Sequence, residues 1–272
     1  MIYENLKKSV AFIRAKTDFT PDISVTLGSG LGHFAQAVDV VCSIEYKDIP
    51  GFIPPSVEGH GGKLILGHLA GKKVALLQGR VHYYEGHSMA EVIHPTRVVG
   101  MLGAKVVIIT NSAGGLNKEI EPGTFMILRD QVNMTGENPL RGPNISELGV
   151  RFPDMSEPFD TALSDQLEEV LKSQNVPYFN GVYFGVQGPT YETAAEVKLY
   201  GDMGGGAVGM STVPEVIAAK HMGRRVVGVS CITNLGTGLS QVALTHEDVK
   251  EVAARVENQF SQFLSKFIGD IK

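Results

Sequence analysis

The spacing of apolar residues predicts a helix toward each end of the chain. Between Tyr3 and Lys16, apolar side chains recur at helical intervals, and the polar stretch from Thr17 to Pro21 then breaks the pattern. Thr245 is the predicted N-cap of a long terminal helix, with Asp248 three residues later. One stripe of that helix would be apolar, formed by Val249, Val252, Ala253, Val256, Phe260, Phe263, Leu264 and Phe267.

Short apolar runs between these helices predict strands. Ile23 to Leu27 leads into the glycine-rich segment Gly28 to Gly32, and Ala104 to Thr110 has the continuous apolar character of a central strand. The remaining runs predict hairpin strands at 63–69 and 73–78, strands at 124–128, 181–186 and 225–231, and helices at 162–173 and 192–200. This alternation predicts an α/β fold with a central mixed β-sheet flanked by helices.

No internal repeat, low-complexity tract or linker divides the chain. A domain boundary in the longest irregular stretch, residues 138–156, would leave the neighbouring runs without partners. We therefore expect residues 1–272 to form a single domain. The 32 glycines exceed the usual share, which indicates many places where the backbone turns sharply or approaches a ligand closely.

Charge and composition exclude several classes of function. The formal net charge of −5 and the lack of a basic run disfavour nucleic acid as a partner. No apolar stretch reaches the about 20 residues that cross a bilayer. Residues 1–10 also lack the apolar core of a signal peptide, so we expect a cytoplasmic protein that does not associate with membranes. Cys42 and Cys231 lack CxxC spacing, which argues against a thiolate zinc site and a disulfide framework.

Several of the predicted strands end in loops of small and polar residues. In α/β sheets, loops at the carboxyl ends of strands converge on the ligand crevice. The loops here span Leu27 to His33, Gly79 to His87, Thr110 to Asn117 and Gly209 to Thr212. With glycine N–H groups they would pool the side chains of Ser29, His60, Arg80, His82, Ser112 and Ser211. This set suits an oxyanion.

Each of these features also has a plain structural interpretation. The GSGLG segment is often merely a tight turn, and its spacing matches neither the dinucleotide motif GxGxxG nor the phosphate loop GxxxxGK[ST]. Arg80 and His82, two residues apart, could equally occupy the solvated face of an edge strand. The eight histidines are by default surface or core residues. Only the joint pattern favours an anion site.

The order of the motifs resembles that of the trimeric purine nucleoside phosphorylases, which share their fold with methylthioadenosine phosphorylase. The resemblance runs from Leu27 to about Val249 and rests on LGSGLG, GHGGKLILG, GRVHYYEGH, HPTRV, TNSAGGLN, GPTYET, AVGMSTVPEV, ITN and LTHEDV in that order. One segment departs from the family: GGGAVGMST stands where GADAVGMST is common, so Gly205 and Gly206 replace Ala and Asp. Because glycine adds backbone freedom, we expect a looser loop from Gly204 to Ser211 and a lower stability.

The resemblance implies reversible phosphorolysis of 6-oxopurine ribonucleosides or deoxyribonucleosides, such as inosine and guanosine. The products would be the free base and ribose or deoxyribose 1-phosphate, a step of purine salvage. Inorganic phosphate would be the co-substrate, with no metal or organic cofactor. The phosphate site would comprise Ser29, His60, Arg80, His82, the backbone at Ser112, and Ser211.

The same resemblance implies a nucleoside site. Its residues would be Tyr84 and Met210 against the ribose, His246 near the 5′-hydroxyl, and Ala113, Gly114, Tyr191, Glu192 and Asn234 around the purine. Glu192, Asn234 and His82 would be the catalytic residues. Phe152 would reach the ribose of a neighbouring subunit, which implies a homotrimer.

Other interpretations of these residues stay open. Taken alone, Met210 is a candidate core residue, His246 the start of a helix, and Glu192 an acidic residue in a first helical turn. Three rival functions also stay open: a methylthioadenosine phosphorylase, a nucleoside- or phosphate-binding module without turnover, and a hydrolase that uses water. Glu192 and Asn234 argue against the first, and the anion-binding set argues against the third.

Overall fold

The computed structural model describes residues 2–57, 60–240 and 246–272, with side chains for all of these except 246–248. The predicted N-cap Thr245 therefore lies outside the described residues. The helices are α1 Ile2–Lys16, α2 Met89–Val92, α3 His94–Leu102, α4 Thr161–Ser173, α5 Ala194–Asp202, α6 Val213–His221 and α7 His246–Asp270. The strands are β1 Ile23–Thr26, β2 Asp39–Glu45, β3 Lys63–Leu69, β4 Lys72–Gln78, β5 Val106–Gly115, β6 Phe125–Asn133, β7 Tyr178–Gly185, β8 Gly205–Gly209 and β9 Arg225–Leu235. None of the described helices combines the length and the apolar character needed to span a bilayer.

These strands form one mixed sheet in the order β2-β3-β4-β1-β5-β8-β7-β6-β9. Strand β5 also pairs in parallel with β9, so that β5, β8, β7, β6 and β9 close into a ring. Strand β1 lies parallel to both β4 and β5, with Thr26 opposite Leu77 and Ile109. The segments that follow β1, β4 and β5 therefore leave the sheet on the same side, as the loop argument expected.

Helix α7 covers one face of the sheet with the apolar stripe predicted from the sequence. Of the eight stripe residues only Val252 is partly exposed, and the others are buried. Phe260 and Phe263 pack against Phe125 of β6 with ring centroids 6.2 and 4.9 Å apart. Full burial of each such side chain contributes about 1.5–3 kcal/mol, which makes this helix a principal part of the core.

The prediction of a loose loop from Gly204 to Ser211 is wrong for most of its length. Residues 205–209 form β8, which pairs in parallel with β7 and antiparallel with β5. A Cβ atom on Gly205 would lie 2.6 Å from Leu116 Cδ1 and 2.8 Å from the backbone oxygen of Tyr200, and one on Gly206 would lie 2.7 Å from Met126 Sδ. Neighbouring atoms thus occupy the space that side chains would need, so here the glycines permit close packing.

The variant Gly205→Ala should therefore lower the free energy of unfolding. Overpacking of this kind costs about 1–3 kcal/mol, and chemical denaturation measures it. Gly201→Ala is the matched control, because this α5 residue would meet only the Leu116 backbone oxygen, at 3.2 Å, and alanine favours a helix. Equal stability of Gly205→Ala and the unmodified protein would contradict the close packing. The lower stability expected from the two glycines stays a prediction.

Candidate active site

A cavity of about 130 Å³ opens where β1, β4, β5, β8 and β9 end. Twelve of the residues singled out in the sequence line it: Ser29, Arg80, His82, Tyr84, Ser112, Ala113, Gly114, Tyr191, Glu192, Met210, Ser211 and Asn234. The structure therefore brings together the pooled loops and the residues implied by the resemblance. Asn111, Val208, Gly209, Thr233 and Val249 complete the lining.

The glycine-rich loop after β1 places Ser29 at one end of this cavity. Gly30 has φ +76°, a conformation that glycine adopts readily, and a Cβ there would lie 2.5 Å from Ala253 Cβ. The Ser112 hydroxyl donates to the Ser29 backbone oxygen at 2.8 Å and fastens the loop to β5. The Ser112 hydroxyl is thus engaged with the loop, which is consistent with the prediction that Ser112 contacts the anion through its backbone.

His60 lies behind Ser29 and outside the cavity lining. Its Nδ1 accepts the Arg80 backbone N–H at 3.3 Å, so in the neutral ring Nε2 carries the hydrogen. Nε2 lies 3.0 Å from Ser29 Oγ and donates to it. Because Ser29 Oγ accepts this bond, its own hydroxyl hydrogen can point at an anion.

Arg80 is held by two contacts although it is only 5% exposed. Its Nε lies 2.9 Å from Glu215 Oε2, and its Nη2 donates to the Thr110 backbone oxygen at 2.8 Å. Of the five N–H groups of a guanidinium, the other three remain available to an anion. A buried, pre-oriented guanidinium of this kind suits an oxyanion better than a solvated side chain.

His82 is oriented by Glu85. His82 Nδ1 and its backbone nitrogen lie 3.1 and 2.6 Å from Glu85 Oε1. Burial alone would raise the pKa of Glu85, but hydrogen bonds from His82 and Ser56 outweigh it and lower that pKa to about 2. Glu85 is thus ionised and accepts from Nδ1–H. Because burial lowers the pKa of His82, the ring is neutral at pH 7 and Nε2 is an acceptor.

Tyr84 stacks on this imidazole, with ring centroids 4.8 Å apart and an interplanar angle of 12°. Burial raises the pKa of Tyr84 to about 12, so its phenol keeps its proton. The tyrosine therefore offers a flat apolar face and a neutral hydroxyl beside the anion-binding end of the cavity. These properties suit a sugar ring.

Opposite Gly114 of β5, Thr233 fixes the amide of Asn234. The Thr233 hydroxyl donates to Asn234 Oδ1 at 3.0 Å, and Asn234 Nδ2 donates to the Leu235 backbone oxygen at 3.1 Å. A Cβ on Gly114 would lie 3.1 Å from that Nδ2, so the glycine lets β5 approach the amide closely. The second N–H of Nδ2 is then the donor that Asn234 can offer a ligand.

Glu192 lies before helix α5 and outside its first turn. The N-cap is Thr193, and Glu196 accepts the Thr193 backbone N–H at 2.7 Å. The interpretation of Glu192 as a first-turn acidic residue is therefore wrong, and Glu196 has that place. Burial raises the pKa of Glu192, and nearby Glu196 raises it further. Since it takes no part in capping the helix, its carboxyl group can serve the cavity it lines.

Besides His60, one predicted residue with a described side chain, Phe152, is not among those that line this cavity. Phe152 is 86% exposed and lines a separate groove of about 470 Å³ with Arg151. His246 is the first residue of α7, and its side chain lies outside the described residues. Within the parts of the chain that the structure describes, no group of three or more His, Cys, Asp and Glu side chains is placed to hold a metal ion.

Four residues of the site were missed in the sequence: Glu85, Asn111, Glu215 and Thr233. Glu85, Asn111 and Thr233 have a sequence signal, because each lies within three residues of a predicted site residue. Glu215 has none, since it lies far from Arg80 in sequence and its place three residues into a helix is typical of a capping residue. Only the fold shows that its carboxylate faces a guanidinium.

Comparisons of the sequence and of the structure with known proteins all identify phosphorylases. Residues 22–269 match the family model described as the phosphorylase superfamily. The chain is 45% identical over 266 residues to purine nucleoside phosphorylase 1 of Bacillus subtilis (strain 168), covering 98% of each chain. It is 39% identical to purine nucleoside phosphorylase of Bos taurus, covering 99% of this chain and 96% of the relative. The crystal structure of the Schistosoma mansoni purine nucleoside phosphorylase in complex with adenosine superposes with a TM-score of 0.94 at 38% identity, covering 99% and 98% of the two chains.

Proposed function

Since the chain belongs to the phosphorylase superfamily, among the purine nucleoside phosphorylases, and is thus a pentosyltransferase, we propose that it cleaves 6-oxopurine nucleosides with inorganic phosphate. The substrates would be inosine, guanosine and their 2′-deoxy forms, and the products the free base and the sugar 1-phosphate, a step of purine salvage. The single observation that carries this proposal is that anion donors, an amide and a carboxyl group line the same cavity. Arg80 contacts β5 at Thr110, whereas Asn234 lies beside Gly114, four residues further along that strand.

The anion-binding end would hold the nucleophile. Arg80 supplies charge and three N–H groups, Ser29 and Ser211 supply hydroxyls, and neutral His82 Nε2 accepts a hydrogen bond from the P–OH group of monohydrogen phosphate. A phosphate oxygen then attacks C1′ from the face opposite the base, so the configuration at C1′ inverts. Holding both reactants in one cavity supplies much of the rate acceleration. This chemistry needs neither a metal nor an organic cofactor.

The other end would stabilise the leaving group. As the glycosidic bond lengthens, the purine gathers negative charge, and a donor that strengthens with that charge lowers the barrier. Asn234 Nδ2 would donate to N7. Ionised Glu192 would accept from N1–H and from the 2-amino group of guanine, whereas adenine has an unprotonated N1 that would face it without a hydrogen. This asymmetry supports a preference for 6-oxopurines.

A direct test is to incubate the protein with inosine, guanosine, adenosine or methylthioadenosine, with and without phosphate, and to follow base release. We expect phosphate-dependent release that is faster from the first two substrates. Release without phosphate would indicate a hydrolase, and the absence of release would indicate a binding module. Preference for methylthioadenosine or adenosine would overturn the 6-oxopurine assignment. The adenosine complex of the Schistosoma mansoni protein makes adenosine a necessary member of the panel.

The preference for inosine over adenosine should weaken at acidic pH. Because the pKa of Glu192 is raised, lowering the pH from about 7.5 to about 5.5 moves this group toward its neutral form. The neutral carboxyl loses an acceptor for N1–H and gains a donor for the N1 of adenine. The ratio of kcat/KM for inosine to that for adenosine should therefore decrease as the pH is lowered. In Glu192→Gln, which does not titrate, the same ratio should stay flat, and a parallel decrease in this variant would refute the assignment.

We also propose a homotrimer in which Phe152 completes a neighbour's nucleoside site. The ring is 86% exposed and the Arg151 guanidinium lies 5.5 Å from its centroid. Large apolar side chains exposed in this way are typical of interfaces. Phe152→Ala should raise KM for inosine about 10-fold and leave KM for phosphate unchanged. Val150→Ala, at an exposed residue two positions earlier, is the control. A protein that sediments as a monomer and is fully active would contradict the proposal.

A further inference from the structure

We infer that Glu215 is a positioning residue that presents Arg80 and Ser211 together to the phosphate. It is 3% exposed and lies outside the lining of the main cavity. Its Oε2 lies 2.9 Å from Arg80 Nε and 3.3 Å from the Thr212 backbone nitrogen. One carboxylate oxygen thus contacts both Arg80 in the loop after β4 and the turn after β8. The inference rests on the proposed phosphate site and adds the residue that assembles it.

The turn that carries Ser211 has a conformation that needs support. Thr212 has φ +69° and ψ −60°, and the Val213 N–H donates to the Ser211 backbone oxygen at 2.8 Å, which defines a γ-turn. This conformation is unfavourable for a β-branched residue and persists only when its surroundings hold it. The Glu215 carboxylate accepts the Thr212 N–H, and Asn111 Nδ2 donates to Thr212 Oγ1 at 2.9 Å.

The position of the Ser211 hydroxyl depends on this turn. Ser211 Oγ lies 3.0 Å from Thr212 Oγ1, and Ser211 lines the cavity whereas Thr212 is fully buried. A change in the backbone at Thr212 would therefore move Ser211 relative to the anion. Since Glu215 holds the backbone nitrogen of Thr212, the geometry of this phosphate ligand is coupled to the carboxylate.

The same carboxylate orients the guanidinium. With Nε facing Glu215 and Nη2 donating to Thr110, the guanidinium plane of Arg80 is fixed at two points. Without the carboxylate one of these points is lost, and the buried cation lacks its ion-pair partner. Loss of Glu215 should therefore weaken phosphate binding through two ligands at once, although Glu215 does not line the cavity with them.

The test is the variant Glu215→Gln, which keeps an oxygen for the Thr212 N–H but removes the charge opposite Arg80. We expect KM for phosphate to rise about 10- to 100-fold, as is typical when a residue that orients a binding group is lost, with a much smaller change in KM for inosine. Glu91→Gln is the matched control, because Glu91 is likewise the third residue of its helix, α2, and accepts the Ser88 N–H at 2.8 Å, but is itself exposed. It should leave both constants unchanged.

A structural role alone would lower the melting temperature of Glu215→Gln and leave KM for phosphate unchanged, and that result would overturn the inference. If Glu215→Gln does not fold, Glu215→Asp keeps the charge on a shorter side chain that cannot reach both partners. It should show a smaller rise in KM for phosphate, and an unchanged value would likewise overturn the inference. Calorimetry with inorganic phosphate tests the proposed function and the role of Glu215 separately. If the unmodified protein binds no phosphate, the proposed function is wrong. If the unmodified protein and Glu215→Gln bind phosphate equally well, only the role of Glu215 is wrong.

Discussion

Replacing Arg80 with Met should reduce kcat/KM for inosine phosphorolysis about 10²- to 10³-fold. Removing one preorganised donor at a reacting anion has an effect of this size, and Arg80 offers three N–H groups and a charge in a buried site. The effect should appear mainly in the dependence on phosphate. Steady-state kinetics with phosphate varied at saturating inosine measure it.

The same substitution should also destabilise the fold by about 3–5 kcal/mol, because it leaves the Glu215 carboxylate buried without its partner. The double variant Arg80→Met/Glu215→Gln separates the two effects, since it removes both charges and keeps an oxygen for the Thr212 N–H. It should regain most of the stability in chemical denaturation and none of the activity. If the double variant regained activity, the phosphate would not depend on the guanidinium.

The sequence was sufficient where local pattern and position agree. The stripe on α7, the hairpin at 63–78 and the strand at 23–26 follow directly from spacing, and the structure confirms them. The convergence of the loops after β1, β4 and β5 follows from the parallel pairing of these strands. Residues in the first few positions after these strands, such as Ser29 or Arg80, could therefore be predicted from the sequence.

Two features were beyond that reasoning for physical reasons. Strand β8 consists mainly of glycine and small residues, which have low strand propensity, and it forms because β5 and β7 offer open edges on both sides. Glu215 resembles an ordinary capping residue, and its ion pair with Arg80 joins two elements 135 positions apart in the numbering. In both cases tertiary contacts outweigh the local signal.

Replacing Asn234 with Ala should lower kcat for inosine about 10²- to 10³-fold with a smaller change in KM, because its hydrogen bond to N7 strengthens only as charge develops on the departing purine. Rapid assays of hypoxanthine release measure this. Thr233→Val is an informative neighbour: it leaves the amide in place but removes the hydroxyl that fixes its orientation, so its loss should be smaller.

The substrate 7-methylguanosine makes the test of Asn234 specific. Its N7 is methylated and accepts no hydrogen bond, and its cationic base leaves as a neutral molecule that needs no donor. Asn234→Ala should therefore cleave 7-methylguanosine at close to the unmodified rate while inosine cleavage is largely lost. Equal losses with both substrates would mean that Asn234 acts on the shape of the cavity and not on the leaving group. Because Asn234 lies beside Gly114, four residues along β5 from the Thr110 that Arg80 contacts, either outcome leaves the assignment of the phosphate end intact.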